Sequence, residues 1–202
     1  NAQSTSYVAP VVPISQFQST SYENLMYLGM FKPTATTMWK GNIKKYGIAT
    51  SDSSAIKVGD VIDMTGALAM DPATHQIKGT ARSYWTTSAD GGEVEAGGVG
   101  GLLQARDPNS RQIYTYTGTN TRLSHSSNAF SLSNRYPENA QGKITNALLG
   151  VTTTTDRDEV INFIHGWDVW NWDGGGPTAK RAWILGAFIH SRPVVIHYTG
   201  FD

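Results

Sequence analysis

Only one segment of this sequence has the hydrophobic spacing of an amphipathic helix, and this scarcity of helical pattern constrains the fold more than any motif does. The segment spans residues 156–168, and Thr155 with Asp158 resembles an N-cap pair. Its apolar stripe comprises Val160, Ile161, Phe163, Ile164 and Trp167. Elsewhere, short apolar runs alternate with glycine, proline and asparagine, a pattern typical of strands and turns. The sequence therefore predicts an α+β, β-rich fold with antiparallel or mixed sheets, one main amphipathic helix and long ordered loops.

The composition of the 202 residues narrows the possible partners and location. Sixteen Lys and Arg residues balance sixteen Asp and Glu residues, so we expect no electrostatic affinity for nucleic acid. Charged residues make up 16% of the chain, below the roughly 25% of typical soluble domains, which suits an extracellular β-rich protein. The absence of cysteine excludes disulfides and thiolate sites. Apolar stretches such as residues 182–189 are far shorter than the about 20 residues that span a bilayer, so we expect no membrane span.

The start of the chain predicts an arm that is distinct from the rest. Residues 7–14 combine β-branched side chains with two prolines, and proline cannot donate a hydrogen bond within a central strand. This pattern favours an extended arm or an edge strand over residues 1–14, followed by a single β-rich domain over residues 15–202. The side chains expected at the interface of this arm are Tyr7, Val8, Val11, Val12 and Ile14.

Two later segments also predict strands. Residues 111–117 alternate cleanly and form the strongest strand pattern in the chain. Residues 36–48 predict either two strands or one long bent strand, because Gly41-Asn42 could form a hairpin turn or a bulge.

A series of short motifs follows one another along most of the chain. The motifs are FKP at 31–33, WKGNIKKY at 39–46, ARSYW at 81–85, the glycine-rich stretch 90–103, GWD at 166–168 and HSRPVV at 190–195. In this order they resemble the PilC/PilY family of type IV pilus biogenesis factors and tip adhesins, in the region just before that family's β-propeller. Many relatives have aspartate where this chain has Ala187, so one polar contact of the family's junction is expected to be missing.

The resemblance implies an extracellular structural module, without catalytic activity, that supports pilus assembly or surface adhesion through protein contacts. Its expected location is the cell surface or a pilus, and its expected partners are pilus subunits, other copies of the chain, or a host or surface ligand. Relatives commonly carry an integrin-like module before this region and a calcium-binding propeller after it. We therefore expect a connecting domain that ends where the propeller would begin. The residues expected to stabilise its junctions are Trp39, Arg82, Trp85, His190 and Arg192.

Two other functions stay open. The chain could be the subunit of an extracellular filament, in which the arm of one copy adds as a strand to the exposed sheet edge of the next. It could also be a carbohydrate-binding protein, because its six tryptophans could line a platform. We interpret Trp167, Trp170, Trp172 and Trp183 mainly as core and interface residues.

An acidic, glycine-rich loop begins at Asp168, and its calcium candidates are Asp168, Asn171 and Asp173, because calcium needs several oxygen ligands. Alignment with an EF-hand places Val169 and Lys180 at ligand positions, where neither side chain can bind calcium. A plain turn is therefore favoured. None of the five histidines has the spacing of a zinc site, and we expect no cofactor.

Overall fold

The computed structural model describes residues 7–11, 24–35 and 38–188. These residues form an α+β fold with antiparallel and parallel strand pairing, which confirms the predicted fold class. The helices within them are α1 (Gly98–Ala105), α2 (Asn146–Leu149) and α3 (Thr154–His165).

The chain groups into two compact units. Unit 1 comprises the chain up to Ala105 together with the chain from Trp183, and unit 2 comprises Arg106–Ala182. The predicted division into an arm over residues 1–14 and one domain over residues 15–202 stays a prediction.

Unit 1 is built on a four-stranded antiparallel sheet in the order β1–β2–β3–β4. Its strands are β1 (Tyr7–Val11), β2 (Leu25–Lys32), β3 (Lys40–Ile48) and β4 (Val61–Ile62). Ala9 of β1 pairs with Gly29 of β2. β1 lies at one edge of the sheet, the position in which a strand tolerates a proline such as Pro10.

β3 is one continuous strand, and Gly41-Asn42 forms neither a hairpin turn nor a bulge. Gly41 pairs with Phe31 and Asn42 with Met30, in unbroken register with β2. A Cβ on Gly41 would lie 2.2 Å from the carbonyl oxygen of Gly186. The glycine therefore permits a second backbone to approach the strand closely. Of the alternatives that the sequence left open, the structure has one long strand, without the hairpin turn or the bulge.

One face of the sheet lines the hydrophobic core of unit 1. Side chains alternate along a strand, so Met26, Leu28 and Met30 of β2 point to the same side, and all three are buried. The other buried members of this cluster are Tyr46, Ala69, Ala81 and Val94. Each large side chain buried in this way stabilises the unit by roughly 1.5–3 kcal/mol relative to full exposure.

Unit 2 contains long ordered loops around a smaller core. Its short elements are the 3-10 helices Pro108–Ser110, Ser126–Asn128 and Leu132–Asn134 and the parallel pair of β5 (Arg135–Tyr136) with β6 (Ile144–Thr145). Phe130, Ile144 and Ile161 form its buried cluster. The core is therefore held mainly by loops that pack on α3.

α3 is the predicted amphipathic helix, with a different N-cap and a narrower apolar stripe. The cap is Thr153, whose hydroxyl accepts a hydrogen bond from the amide of Asp156, so the predicted pair of Thr155 and Asp158 is wrong. Only Ile161 of the five predicted stripe residues is buried. Arg157 of the helix is also buried, and its guanidinium donates two hydrogen bonds to Oδ1 of Asp158.

The strand predicted over residues 111–117 is wrong. The segment makes a single antiparallel bridge between Tyr114 and Ala129. Pairing stops there because Asn128 ends a 3-10 turn, and its side-chain oxygen accepts the amide of Thr117 in place of a strand partner. The side chains of this segment therefore alternate as in a strand, although no neighbouring strand extends the ladder.

Candidate interaction surfaces

Three polar side chains on the core face of β3 hold the glycine-rich segment of residues 90–100. Asn42, Lys44 and Tyr46 occupy alternate positions of the strand and therefore share one face. All three are fully buried. Buried polar groups need partners, and the partners here are mainly backbone carbonyls of the segment.

Lys44 makes the central contact of this frame. Its Nζ lies 3.0 Å from Oδ2 of Asp90 and donates to the carbonyl oxygens of Asp90 at 2.7 Å and Gly91 at 2.8 Å. Burial lowers the pKa of Lys44, while the carboxylate of Asp90 opposes that effect. The three acceptors match the three protons of an ammonium group, so the site suits a charged lysine.

Asp90 is fixed from its other side by Ser83. Its Oδ1 accepts the amide of Ser83 at 2.8 Å, and its Oδ2 accepts the Ser83 hydroxyl at 2.7 Å. Gly97 lies against the same carboxylate with a φ of +56°, and a Cβ there would approach Oδ2 of Asp90 to 2.3 Å. Glycine at this position satisfies both the left-handed backbone and the close contact.

Asn42 binds the backbone of the segment between Val94 and Gly100. Its Nδ2 donates to the carbonyl oxygens of Val94 at 2.8 Å and Gly97 at 3.0 Å, and its Oδ1 accepts the amide of Gly100 at 2.9 Å. Tyr46 donates to the carbonyl oxygen of Gly91 at 3.0 Å, and burial raises its pKa, which keeps the phenol neutral. The frame is therefore complete without a ligand, and we assign it a structural role.

The opposite face of the sheet carries a cluster of rings around Lys45. The Lys45 Nζ lies 5.2 Å from the ring centroid of Tyr84, 5.7 Å from that of Tyr27 and 5.8 Å from that of Trp85. These distances suit cation–π attraction. Trp85, one of the predicted junction residues, has a φ of +73° and is 40% exposed. A bulky residue in the left-handed region is strained, and the strained backbone here presents an indole at the surface.

Two other predicted junction residues, Trp39 and Arg82, make contacts elsewhere. Trp39 stacks on Phe31, with ring centroids 6.0 Å apart and planes 4° from parallel, and its indole donates to the carbonyl oxygen of Thr34 at 3.1 Å. The guanidinium of Arg82 donates to the carbonyl oxygen of Thr86 at 3.2 Å and so shapes its own loop. His190 and Arg192 lie outside the described residues.

The predicted arm residues occupy the edge of the sheet as far as they are described. Tyr7 pairs in register with Phe31, Val8 with Met30 and Val11 with Tyr27. The two remaining interface positions, Val12 and Ile14, lie outside the described residues.

The calcium candidates use their oxygens to shape their own loop. Asp168 is fully buried, and its two carboxylate oxygens accept the amides of Trp172 and Asp173, each at 2.8 Å. Asn171 has a φ of +53°, and its Oδ1 accepts the amide of Gly176 at 2.6 Å.

Asp173 extends the same pattern, because its Oδ2 accepts the amide of Ala182 at 2.7 Å. Among the described residues, no group of three or more histidine, aspartate or glutamate side chains is arranged to hold a metal ion. The hydrogen bonds of these three residues shape the loop and its return to Ala182.

This loop brings two tryptophans to the surface. Trp170 is 39% and Trp172 57% exposed, so neither lies in the core, one of the two places that the sequence indicated for them, whereas Trp183 is buried. Sequence reasoning missed this exposure because a tryptophan next to a helix has the same local pattern whether its ring faces inward or outward. It also missed Asn42, because alternate polar positions in a strand usually mark a solvated face.

No protein-family model, curated protein or solved structure matches this chain. No helix in the described part of the chain combines the length and the apolar character needed to cross a membrane.

Proposed function

We propose that this chain is a non-catalytic extracellular structural module, PilY-like, that supports pilus assembly or surface adhesion through protein contacts. The observation that carries the proposal is the place of β1: an N-terminal segment forms an edge strand of the sheet in unit 1. A strand at an edge is a ready surface for pairing with another chain. The polar groups with the strongest chemistry, Lys44, Asp90 and Asp168, serve internal hydrogen bonds, which also favours a structural role.

A second candidate is a filament subunit that polymerises by strand addition. β1 is short, and within the described residues its recorded pairing is with β2 in antiparallel register. The same register can form between two copies if β1 of one copy occupies this position beside β2 of the next. Main-chain hydrogen bonds would then set the repeat of the filament.

The absence of native cysteine allows a direct test of both candidates. The residues Ala9 and Gly29 are register partners, so Ala9→Cys and Gly29→Cys place two thiols opposite each other. The two single variants are co-expressed, oxidised and resolved without reductant, beside electron microscopy and size-exclusion chromatography of the native protein. Strand addition predicts filaments and a disulfide between chains. If β1 pairs with β2 of its own chain, the two single variants form no disulfide between chains. A variant that carries both Ala9→Cys and Gly29→Cys then forms a disulfide within one chain.

The matched control combines Ala9→Cys with Tyr27→Cys, which lies two positions away from register and beyond disulfide reach. Deletion of residues 1–14 must abolish filaments if strand addition is right, so filaments that persist after the deletion rule it out. For the leading proposal, we expect the protein to cosediment with purified type IV pili. A dispersed monomer that neither binds pili nor self-associates contradicts both candidates.

A further inference from the structure

We infer that the side chains of Lys44 and Asp90 condense to an amide, which cross-links β3 covalently to the glycine-rich segment of residues 90–100. The two groups form a buried ion pair, with Nζ 3.0 Å from Oδ2 and side-chain exposures of 0% and 2%. An amine and a carboxylate are the reactants of an amide bond, and their fixed contact replaces a bimolecular encounter. The reaction needs no reagent beyond the chain itself.

The hydrogen bonds of Lys44 direct its nitrogen at the carboxyl group. Two ammonium protons are donated to the main-chain oxygens of Asp90 at 2.7 Å and Gly91 at 2.8 Å, so the third lies towards Oδ2 of Asp90. When this third proton passes to Oδ2, the lone pair that it leaves on Nζ faces a neutral carboxyl group. Burial favours the transfer because it lowers the pKa of Lys44, while the charge of Asp90 opposes this effect.

Ser83 supplies the hydrogen bonds and the proton relay that the reaction needs. Its amide donates to Oδ1 of Asp90 at 2.8 Å, where negative charge develops as Nζ attacks the carboxyl carbon. Its hydroxyl lies 2.7 Å from Oδ2, gives its proton to that oxygen and takes one from the attacking nitrogen. The C–N bond forms as the bond from the carboxyl carbon to Oδ2 breaks. Oδ2 leaves as water, and one proton stays on the amide nitrogen, so atoms and charges balance.

The product keeps a hydrogen-bond partner for each of these buried groups. Oδ1 of Asp90 becomes the amide oxygen and retains the amide of Ser83, while the new N–H retains the main-chain oxygen of Asp90. The main-chain oxygen of Gly91 retains the hydroxyl of Tyr46 at 3.0 Å. The hydroxyl of Ser83 turns to the carbonyl oxygen of Tyr84 at 3.1 Å. Because burying two charges is costly, burial favours this neutral, bonded amide over the ion pair.

The test is the intact mass of the full chain, measured under denaturing conditions, beside a digest with trypsin. We expect the native protein to weigh less than its sequence by the mass of one water molecule. The digest should contain a branched product that joins the peptide with Lys44 to the peptide with Asp90. The ion pair of Lys57 with Asp52 is the matched control, because its groups lie 3.5 Å apart but are exposed to solvent, and their peptides should be recovered unlinked.

Two substitutions test the parts of the reaction. Lys44→Met removes the amine, so the mass of this variant should equal that of its sequence whether or not the variant folds. Ser83→Ala keeps the amide on Oδ1 but removes the hydroxyl. The ratio of linked to unlinked chain in this variant should be at least about tenfold lower than in the native protein, when both are sampled directly after purification.

Three results would overturn the inference. One is a native chain with the full mass of its sequence. Another is a linear peptide that has lost water, because Asp90 is followed by Gly91 and the two can form a succinimide of the same mass. The third is equal linking of the Ser83→Ala and native chains, which would remove the relay on which the reaction depends.

Discussion

At the scale of single residues, the buried charges explain how a loop rich in glycine keeps one shape. A lysine without exposure is costly unless its charge is paired and its protons are bonded. Lys44 meets both conditions through Asp90 and two carbonyl oxygens. Since those acceptors belong to a segment 46 residues further along the chain, the ion pair stabilises a contact that no local pattern specifies.

Lys44→Met should strongly destabilise unit 1, because methionine fills a similar volume but leaves the Asp90 carboxylate buried without its cation. We expect a loss of about 3–5 kcal/mol in the free energy of unfolding. Hydrogen exchange at the amides of β2 and β3 measures this loss locally. Lys57→Met is the control, because the ion pair of Lys57 with Asp52 is exposed, and it should change stability by less than about 1 kcal/mol. Equal effects of the two substitutions would contradict the role given to Lys44.

Asp63 should make unit 1 sensitive to acid. Burial disfavours its ionisation, but hydrogen bonds from the hydroxyl and amide of Thr65 and from the amides of Arg82 and Ala67 lower the pKa of Asp63 below its ordinary value. A lowered folded-state pKa contributes stability that is present above about pH 4 and is lost as the pH falls towards the folded-state value, because the unfolded chain then binds more protons.

Asp63→Asn should remove this pH dependence and reduce stability at neutral pH, so that variant and native protein converge as the solution becomes acidic. Unfolding curves collected from neutral to acidic pH measure the convergence. Asp71→Asn is the comparison, because Asp71 also has a pKa lowered by backbone amides but is only partly buried, so that solvent screens its interactions more than those of Asp63. A constant stability difference between Asp63→Asn and the native protein at all pH values would contradict this account.

At the scale of elements, two neighbouring glycines of α1 differ in the space around them. A Cβ on Gly100 would lie 2.1 Å from Cζ2 of Trp183, whereas a Cβ on Gly101 would meet no atom within 4 Å. Trp183 cannot retreat easily, since its indole also donates to the carbonyl oxygen of Gly41 at 2.9 Å. Gly100 therefore allows Trp183 to pack closely against α1, whereas no contact in the structure requires glycine at position 101.

Gly100→Ala and Gly101→Ala should change stability in opposite directions. Overpacking against Trp183 should destabilise unit 1 by about 1–3 kcal/mol. Alanine at the open position should stabilise α1 by about 0.5–1 kcal/mol, because glycine is a poor helix former. Chemical denaturation of both variants measures the two changes in the free energy of unfolding. Changes of the same sign would show that the contact with Trp183 does not explain the need for glycine at position 100.

The same scale shows where sequence patterns suffice. α3 and an edge strand at the start of the chain were predictable because each has a local signature, helical spacing in one and proline beside β-branched residues in the other. The prediction of a strand over residues 111–117 failed, because a strand also needs a partner strand of sufficient length. The turn at Asn128 leaves only one bridge, between Tyr114 and Ala129.

At the scale of the whole molecule, the α+β class follows from the balance of helical and alternating segments, but the division into two compact units does not. Each unit has its own buried cluster, one on β2 and β3 and the other around Ile161. Two further features could not be predicted from the sequence. The exposure of Trp170 and Trp172 depends on the loop that Asp168 organises, and the buried frame around Lys44 depends on residues that are distant in the chain.

The way Asn42 holds the glycine-rich segment has a consequence for how the protein can vary. Asn42 binds carbonyl and amide groups, which every residue other than proline provides, and it makes no demand on side chains such as that of Ala96. The contour of the segment thus depends on its main chain, its glycines and Asp90, and the side chains at its other positions can vary without loss of these bonds. Substitutions that alter the surface of the segment at those positions can therefore accumulate while its backbone keeps one shape.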